Sequence, residues 1–171
     1  MACVRIGLIA DVQYADIDDV WNYMHTHKRK YRSTLVALTN AVDWWSTIDD
    51  LDLVVDLGDA IDGFRNVDRE MGLHALNNVM HEWKTLENRR PHLPILHLIG
   101  NHELYKFTRE EIIHGVGSTG FKCTPPAILD PAIDRIKSLY YTFPLRGGWR
   151  IVVLDPYEIS VMTNEIGRAH V

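Results

Sequence analysis

The sequence predicts an α/β fold, on three observations. Short apolar runs stop abruptly at polar residues, stretches of helical periodicity lie between them, and the two kinds of segment alternate. The runs are residues 4–10, 51–57 and 94–99, and amphipathic stretches fill both gaps. The resulting order is strand, helix, strand, helix, strand, which implies parallel strands joined by right-handed crossovers. A pair of antiparallel strands is expected after them.

Residues 4–10 (VRIGLIA) form a short apolar run ending at Asp11, the pattern of a buried strand. Residues 11–27 are polar and acidic, with Asp16, Asp18 and Asp19 close together, and read as a loop. Over residues 28–47, Tyr31, Leu35, Leu38, Val42 and Trp45 recur at spacings of four and three, one face of an amphipathic helix. Residues 51–57 give the second strand, ended by Gly58-Asp59. Residues 67–88 read as a helix with Met71, Ala75, Val79, Trp83 and Leu86 on one side. The third strand, 94–99, ends at Gly100-Asn101-His102. Beyond Tyr105 the pattern weakens into short pieces and a Pro-containing loop at 124–131. Residues 140–143 and 149–154 then read as two strands joined by a tight turn at Arg146-Gly147-Gly148.

Length and composition narrow the function classes. A chain of 171 residues, 46% hydrophobic and 24% charged, can bury one ordinary globular core. A net charge of −5 argues against a non-specific nucleic-acid binder, which carries a basic stripe. No apolar run approaches the roughly 18 residues that span a bilayer, and the N-terminus lacks the pattern of a signal peptide. Cys3 and Cys123 offer neither a disulfide framework nor metal-ligand spacing. The expectation is a cytoplasmic, reducing setting, with neither nucleic acid nor membrane as partner.

Each of the three strands stops at short polar side chains: Asp11-Val12-Gln13, Gly58-Asp59-Ala60-Ile61-Asp62-Gly63 and Gly100-Asn101-His102-Glu103. Ligands of open α/β sheets bind beyond the carboxyl ends of the strands, so Asp11, Asp59 and Asn101 are expected at one edge. That edge would offer two carboxylates, two amide oxygens and one imidazole, a set suited to Mn²⁺, Mg²⁺ or Fe. Taken singly, each piece has an ordinary explanation. An Asp after a strand forms turns or caps helices, and Asn-His after Gly tolerates an awkward backbone. Together and in this order they point to a metal site.

Other polar residues carry less. His25 and His27 lie in a polar stretch with no strand end beneath them, and His74 and His81 fall seven apart on a helix. His92, His97 and His114 lack partners at metal spacing, and Asp56 has no motif around it. Lys28-Arg29-Lys30 reads as a solvated helix start, where a cation could also meet a substrate phosphate. There is no G-x-G-x-x-G and no Walker loop.

The series D-x-Q, G-D-x-x-D, G-N-H-E resembles the first three of the five motifs of the calcineurin-like metallophosphoesterases, in which the first is usually D-x-H. Gln13, inside Asp11-Val-Gln-Tyr-Ala-Asp16, is similar to the manganese-dependent ADP-ribose/CDP-alcohol diphosphatase branch. Gly100-Asn-His-Glu-Leu-Tyr105 and Trp149-Arg-Ile-Val-Val-Leu-Asp155 extend the resemblance, which covers residues 4–164. It implies the N-terminal half of the metallophosphoesterase β-sandwich flanked by helices. It also implies Asp11 and Gln13 as ligands of a first metal, Asp59 as a bridge to a second, and Asn101 as a ligand of that second metal. Asp62 would orient these ligands. His102 would act near the leaving group, as general acid or as a donor to the phosphoryl oxygen. The implied cofactor is a pair of Mn²⁺ ions, with Mg²⁺ or Fe as alternatives, clamping the phosphoryl group during in-line displacement. The implied substrate is a nucleoside diphosphate-linked small molecule. ADP-ribose would give AMP and ribose 5-phosphate, and CDP-choline and other CDP-alcohols form a parallel class.

The family pattern also contains a lone His and a G-H-x-H, and neither follows here. After His114 the only histidine is His170, outside any such motif. Residues 165–171 match one reading frame of a widely used sequencing-library adapter, an ordinary native tail being the alternative. The expected organisation is therefore a metallophosphoesterase domain over 1–164, truncated before its C-terminal half, and an artefactual tail over 165–171. With four of the expected ligands, weak Mn²⁺ binding and little or no turnover are expected. Two other readings remain open: another calcineurin-like phosphodiesterase or phosphatase, and a short non-catalytic module.

Overall fold

The computed structural model describes residues 3–124 and 139–158; the tail at 165–171 and most of the loop expected at 124–131 lie outside them. In chain order the elements are β1 (Ile6–Ile9), β2 (Val20–Trp21), β3 (Lys28–Arg29), α1 (Tyr31–Ser46), β4 (Leu53–Asp56), α2 (Arg69–Arg89), β5 (Ile95–His97), α3 (Asn101–Leu104), α4 (Arg109–His114), β6 (Tyr141–Pro144) and β7 (Arg150–Val153). The fold is α/β: β1, β4 and β5 form a parallel sheet in that order, and β6 and β7 form an antiparallel pair.

All four residues of β4 are buried, which follows from its central place and from cover on both faces of the sheet. One face carries Val54 into a core with Leu38 and Val42 of α1 and Leu76, Val79 and Trp83 of α2. Trp45 and Trp83 stack there at 6.0 Å between ring centroids and 14° between planes, joining the two helices. Gly7 makes room for this pair, because a Cβ on it would lie 2.6 Å from Trp45 Nε1. The other face places Leu53, Val55 and Leu96 against Tyr141, Phe143 and Val153 of the hairpin. The α2 helix starts where the Asp68 carboxylate accepts the Met71 amide (2.8 Å), an N-cap that satisfies a donor the helix leaves unpaired.

Two expectations need correction. The first long helix starts at Tyr31, and Lys28 and Arg29 instead pair with Trp21 and Val20 in a small antiparallel hairpin. The stretch 11–27 is therefore not all loop. Asn22 closes this hairpin by accepting the Thr26 amide (2.8 Å), and Lys28 Nζ lies 5.6 Å from the Trp21 ring centroid. Strands of two residues are too short for any periodicity to register. The same applies to α3 and α4, four and six residues long, which the sequence left as short pieces. Among the described residues no helix is long and apolar enough to cross a membrane.

Candidate metal centre

Beyond its last strand residue, the chain leaving β1 stays beside the chain leaving β4. Leu57 donates its amide to Ile9 O (2.9 Å), Asp11 to Gly58 O (3.2 Å), Gln13 to Asp59 O (2.8 Å) and Tyr14 to Ala60 O (3.1 Å). Asp62 returns a bond to Tyr14 O (3.0 Å). Within this seam Asp11, Gln13 and Asp59 take left-handed backbone conformations, with φ of 55°, 43° and 55°. Such values are uncommon for residues with a Cβ, most of all for Gln, and persist where surrounding bonds hold them.

A second joint ties in the chain leaving β5. Gly58 and Gly100 meet backbone to backbone: a Cβ on Gly58 would lie 2.6 Å from Gly100 N, and one on Gly100 would lie 2.1 Å from Asp59 Oδ1. The His102 amide donates to Asp59 Oδ1 (3.0 Å). Beneath them is Glu103, fully buried. Its Oε2 accepts the amides of Asp59 (3.0 Å) and Gly100 (2.9 Å), and its Oε1 those of Ala60 (2.7 Å) and Ile61 (3.4 Å). Burial, with the Asp56 and Asp59 carboxylates nearby, pushes its pKa up to about 7, while the amide donors favour the ionised form.

The loops thus bring Asp11, Gln13, Asp59 and Asn101 to one end of the parallel sheet. Asp11 is exposed and the other three are half-buried, open to a ligand. Gln13 Nε2 donates to Asp11 Oδ1 (3.3 Å) and Asn101 Nδ2 donates to the Tyr105 hydroxyl (3.0 Å). Each amide thereby turns its nitrogen to a neighbour and leaves its carbonyl oxygen for another partner. Oxygen donors of this kind fit a hard divalent cation. With two carboxylates and two amides they supply only part of the coordination of two metals. Among the described residues no group of three or more His, Cys, Asp and Glu side chains is placed to hold a metal.

His102 is buried against Phe64 and Tyr105, and its Nδ1 accepts the Gly63 amide (3.0 Å). The neutral ring therefore carries its proton on Nε2. Asp62 is buried with its Oδ1 accepting the Phe64 and Arg65 amides (2.9 and 2.8 Å). Its Oδ1 lies 3.9 Å from His102 Nδ1, and Arg29 reaches to 3.9 Å from its Oδ2. Its side chain shapes the turn that leads to Gly63 and so to His102.

Two features escaped sequence reasoning. Asp56 and His97 are partners across β4 and β5, and Asp56 Oδ2 lies 3.0 Å from His97 Nδ1 in the interior. Asp56 Oδ1 also accepts the Gly58 amide (3.2 Å), bracing the turn before Asp59. Their only signal is a strand register that one sequence does not display. Glu103 stood in the sequence as a motif letter, because its partners are backbone amides more than 40 residues upstream and at the start of its own turn.

No family model matches the chain. Curated relatives do. The manganese-dependent ADP-ribose/CDP-alcohol diphosphatase of Arabidopsis thaliana is 35% identical over 156 residues, 91% of this chain and 43% of that protein. Those of Homo sapiens and Danio rerio are 34% and 36% identical, over 91% and 93% of this chain and 44% and 47% of theirs. A crystal structure of a dimetal phosphatase from Danio rerio matches with a TM-score of 0.70 and 33% identity, covering 93% of this chain and 46% of that one. The chain spans a little under half the length of the relatives it matches. Over nine-tenths of its length it is related in sequence to the manganese-dependent ADP-ribose/CDP-alcohol diphosphatases and in fold to a dimetal phosphatase, with a metallophosphoesterase-like architecture.

Proposed function

We propose that the chain carries one metal-binding edge of a two-metal phosphoesterase, and that the whole protein splits the pyrophosphate of ADP-ribose and of CDP-alcohols such as CDP-choline in a Mn²⁺-dependent reaction. One observation carries the reading: three stitched strand-end loops bring Asp11, Gln13, Asp59 and Asn101 to one sheet end, with both amide nitrogens bonded to neighbours and neither amide oxygen accepting a hydrogen bond among the described residues. The names of the relatives support the metal and the substrate class. Asp11 and Gln13 would hold one cation, Asn101 another, and Asp59 both. Bound there, the cations supply Lewis-acid polarisation of the phosphoryl group.

The chain's own groups do the rest. His102 presents Nε2–H while Gly63 occupies Nδ1, an arrangement that favours hydrogen-bond donation to a phosphoryl or leaving-group oxygen over general acid catalysis. Gly58 and Gly100 let the loops approach, and the Asp56–His97 pair braces the turn that offers Asp59.

The test is to incubate the purified chain with Mn²⁺ and ADP-ribose or CDP-choline and follow AMP or CMP by chromatography. Four donors predict slow, Mn²⁺-dependent release at best, lost in Asp59→Asn. Release that proceeds without metal, or faster phosphate release from a simple monoester, would overturn the diphosphatase reading.

A further inference from the structure

We propose that Glu103 is a positioning residue for this edge: its one carboxylate clamps the loop after β4 to the loop after β5 and thereby sets the spacing of Asp59 and Asn101. The proposal rests on the metal reading of those two residues.

Four backbone donors converge on the carboxylate, and they come from both loops. Asp59, Ala60 and Ile61 lie on one, and Gly100 opens the other. Backbone bonds from Asp11, Gln13 and Tyr14 hold the clamped segment on its β1 side, and Glu103 ties it on the β5 side. Gly58 and Asp59 both sit at positive φ (94° and 55°), and the Asp59 amide bonds to Glu103. Asn101 follows directly on Gly100, so the carboxylate ties the donor residues of the two loops together, alongside the bond from the His102 amide to Asp59 Oδ1.

Few substitutes could do this. A glutamine offers one acceptor oxygen and turns its NH₂ toward donors that need an acceptor. Aspartate keeps the charge but is one methylene shorter, so it reaches one loop at the expense of the other. The charge also matters, since hydrogen bonds to an ionised acceptor are stronger than neutral ones. A side chain that merely filled core volume would be insensitive to the Glu-to-Gln exchange.

The experiment compares wild type, Glu103→Gln, Glu103→Asp and a control, Val79→Ala, which opens a cavity in the helix-covered core and removes no polar group. Two quantities are read on protein whose far-ultraviolet circular dichroism is native. One is Mn²⁺ affinity, from electron paramagnetic resonance of the free ion. The other is hydrogen exchange at the amides of Asp59, Ala60, Ile61 and Gly100. Glu103→Gln is expected to weaken Mn²⁺ binding by about 10- to 100-fold and to accelerate exchange at those four amides selectively. Glu103→Asp is expected to recover part of both. Val79→Ala is expected to unfold more readily yet keep Mn²⁺ affinity within about twofold, because it leaves the four amide bonds to Glu103 in place. Equal weakening in Val79→Ala, or unchanged exchange or affinity in Glu103→Gln, would overturn the clamp. If wild type takes up no Mn²⁺, the metal reading fails and the proposal falls with it; the exchange data tell that failure from a failure of the clamp itself.

Discussion

Gln13 sits at φ 43° and donates its Nε2 to Asp11, so the edge presents its amide oxygen. A neutral oxygen is a harder donor than an imidazole nitrogen, which suits Mn²⁺ over Zn²⁺. Gln13→His is therefore expected to move metal preference toward Zn²⁺, measured as the ratio of the two affinities; an unchanged ratio would contradict this role. That Asp11, Gln13, Asp59 and Asn101 come to one end of the parallel sheet was legible in the sequence because each follows an apolar run. The left-handed backbones of Asp11, Gln13 and Asp59 were not, since these rest on the bonds that neighbouring loops supply. The proton position on His102 was equally hidden, being set by the amide of Gly63, 39 residues away.

Among the elements, the strand-end loops depend on close backbone approach. A Cβ on Gly100 would lie 2.1 Å from Asp59 Oδ1, far inside contact distance. Gly100→Ala is expected to cost about 1–3 kcal/mol, the usual range for overpacking, in denaturant unfolding. A cost near zero would mean that the loops are not locked together. At α4, Glu111 accepts from Thr108 and pairs with Arg69, and this guanidinium, together with the Thr108 amide, holds its pKa below the ordinary 4.5. A depressed carboxylate pKa stabilises the fold above the unfolded value and loses that contribution as pH falls through the folded one. The stability difference between wild type and Glu111→Gln should thus be full above about pH 5, close as pH drops below 4.5, and stay under about 1 kcal/mol for so exposed a pair. A difference constant with pH would rule out the ion pair as its source. The long helices and the three parallel strands were readable because periodicity or apolar runs extend over enough residues. The β2–β3 hairpin, α3 and α4 were not, because each depends on local side-chain bonds such as Asn22 to Thr26 and Thr108 to Glu111.

For the whole molecule, parallel topology was legible from the alternation of elements, and the β6–β7 pair from its turn glycines. That this pair covers the second face of the parallel sheet was not, because Tyr141, Phe143 and Val153 meet Leu53, Val55 and Leu96 only in three dimensions. This two-faced core is what makes β4 rigid and aims Asp59 out of its carboxyl end. The proposed function requires that this end bind metal. The deciding measurement is an Mn²⁺ titration of the purified chain against Asp59→Asn, followed by electron paramagnetic resonance. Weak, saturable binding in wild type and its loss in Asp59→Asn is the predicted result. No uptake by wild type, or equal uptake by both proteins, would contradict it.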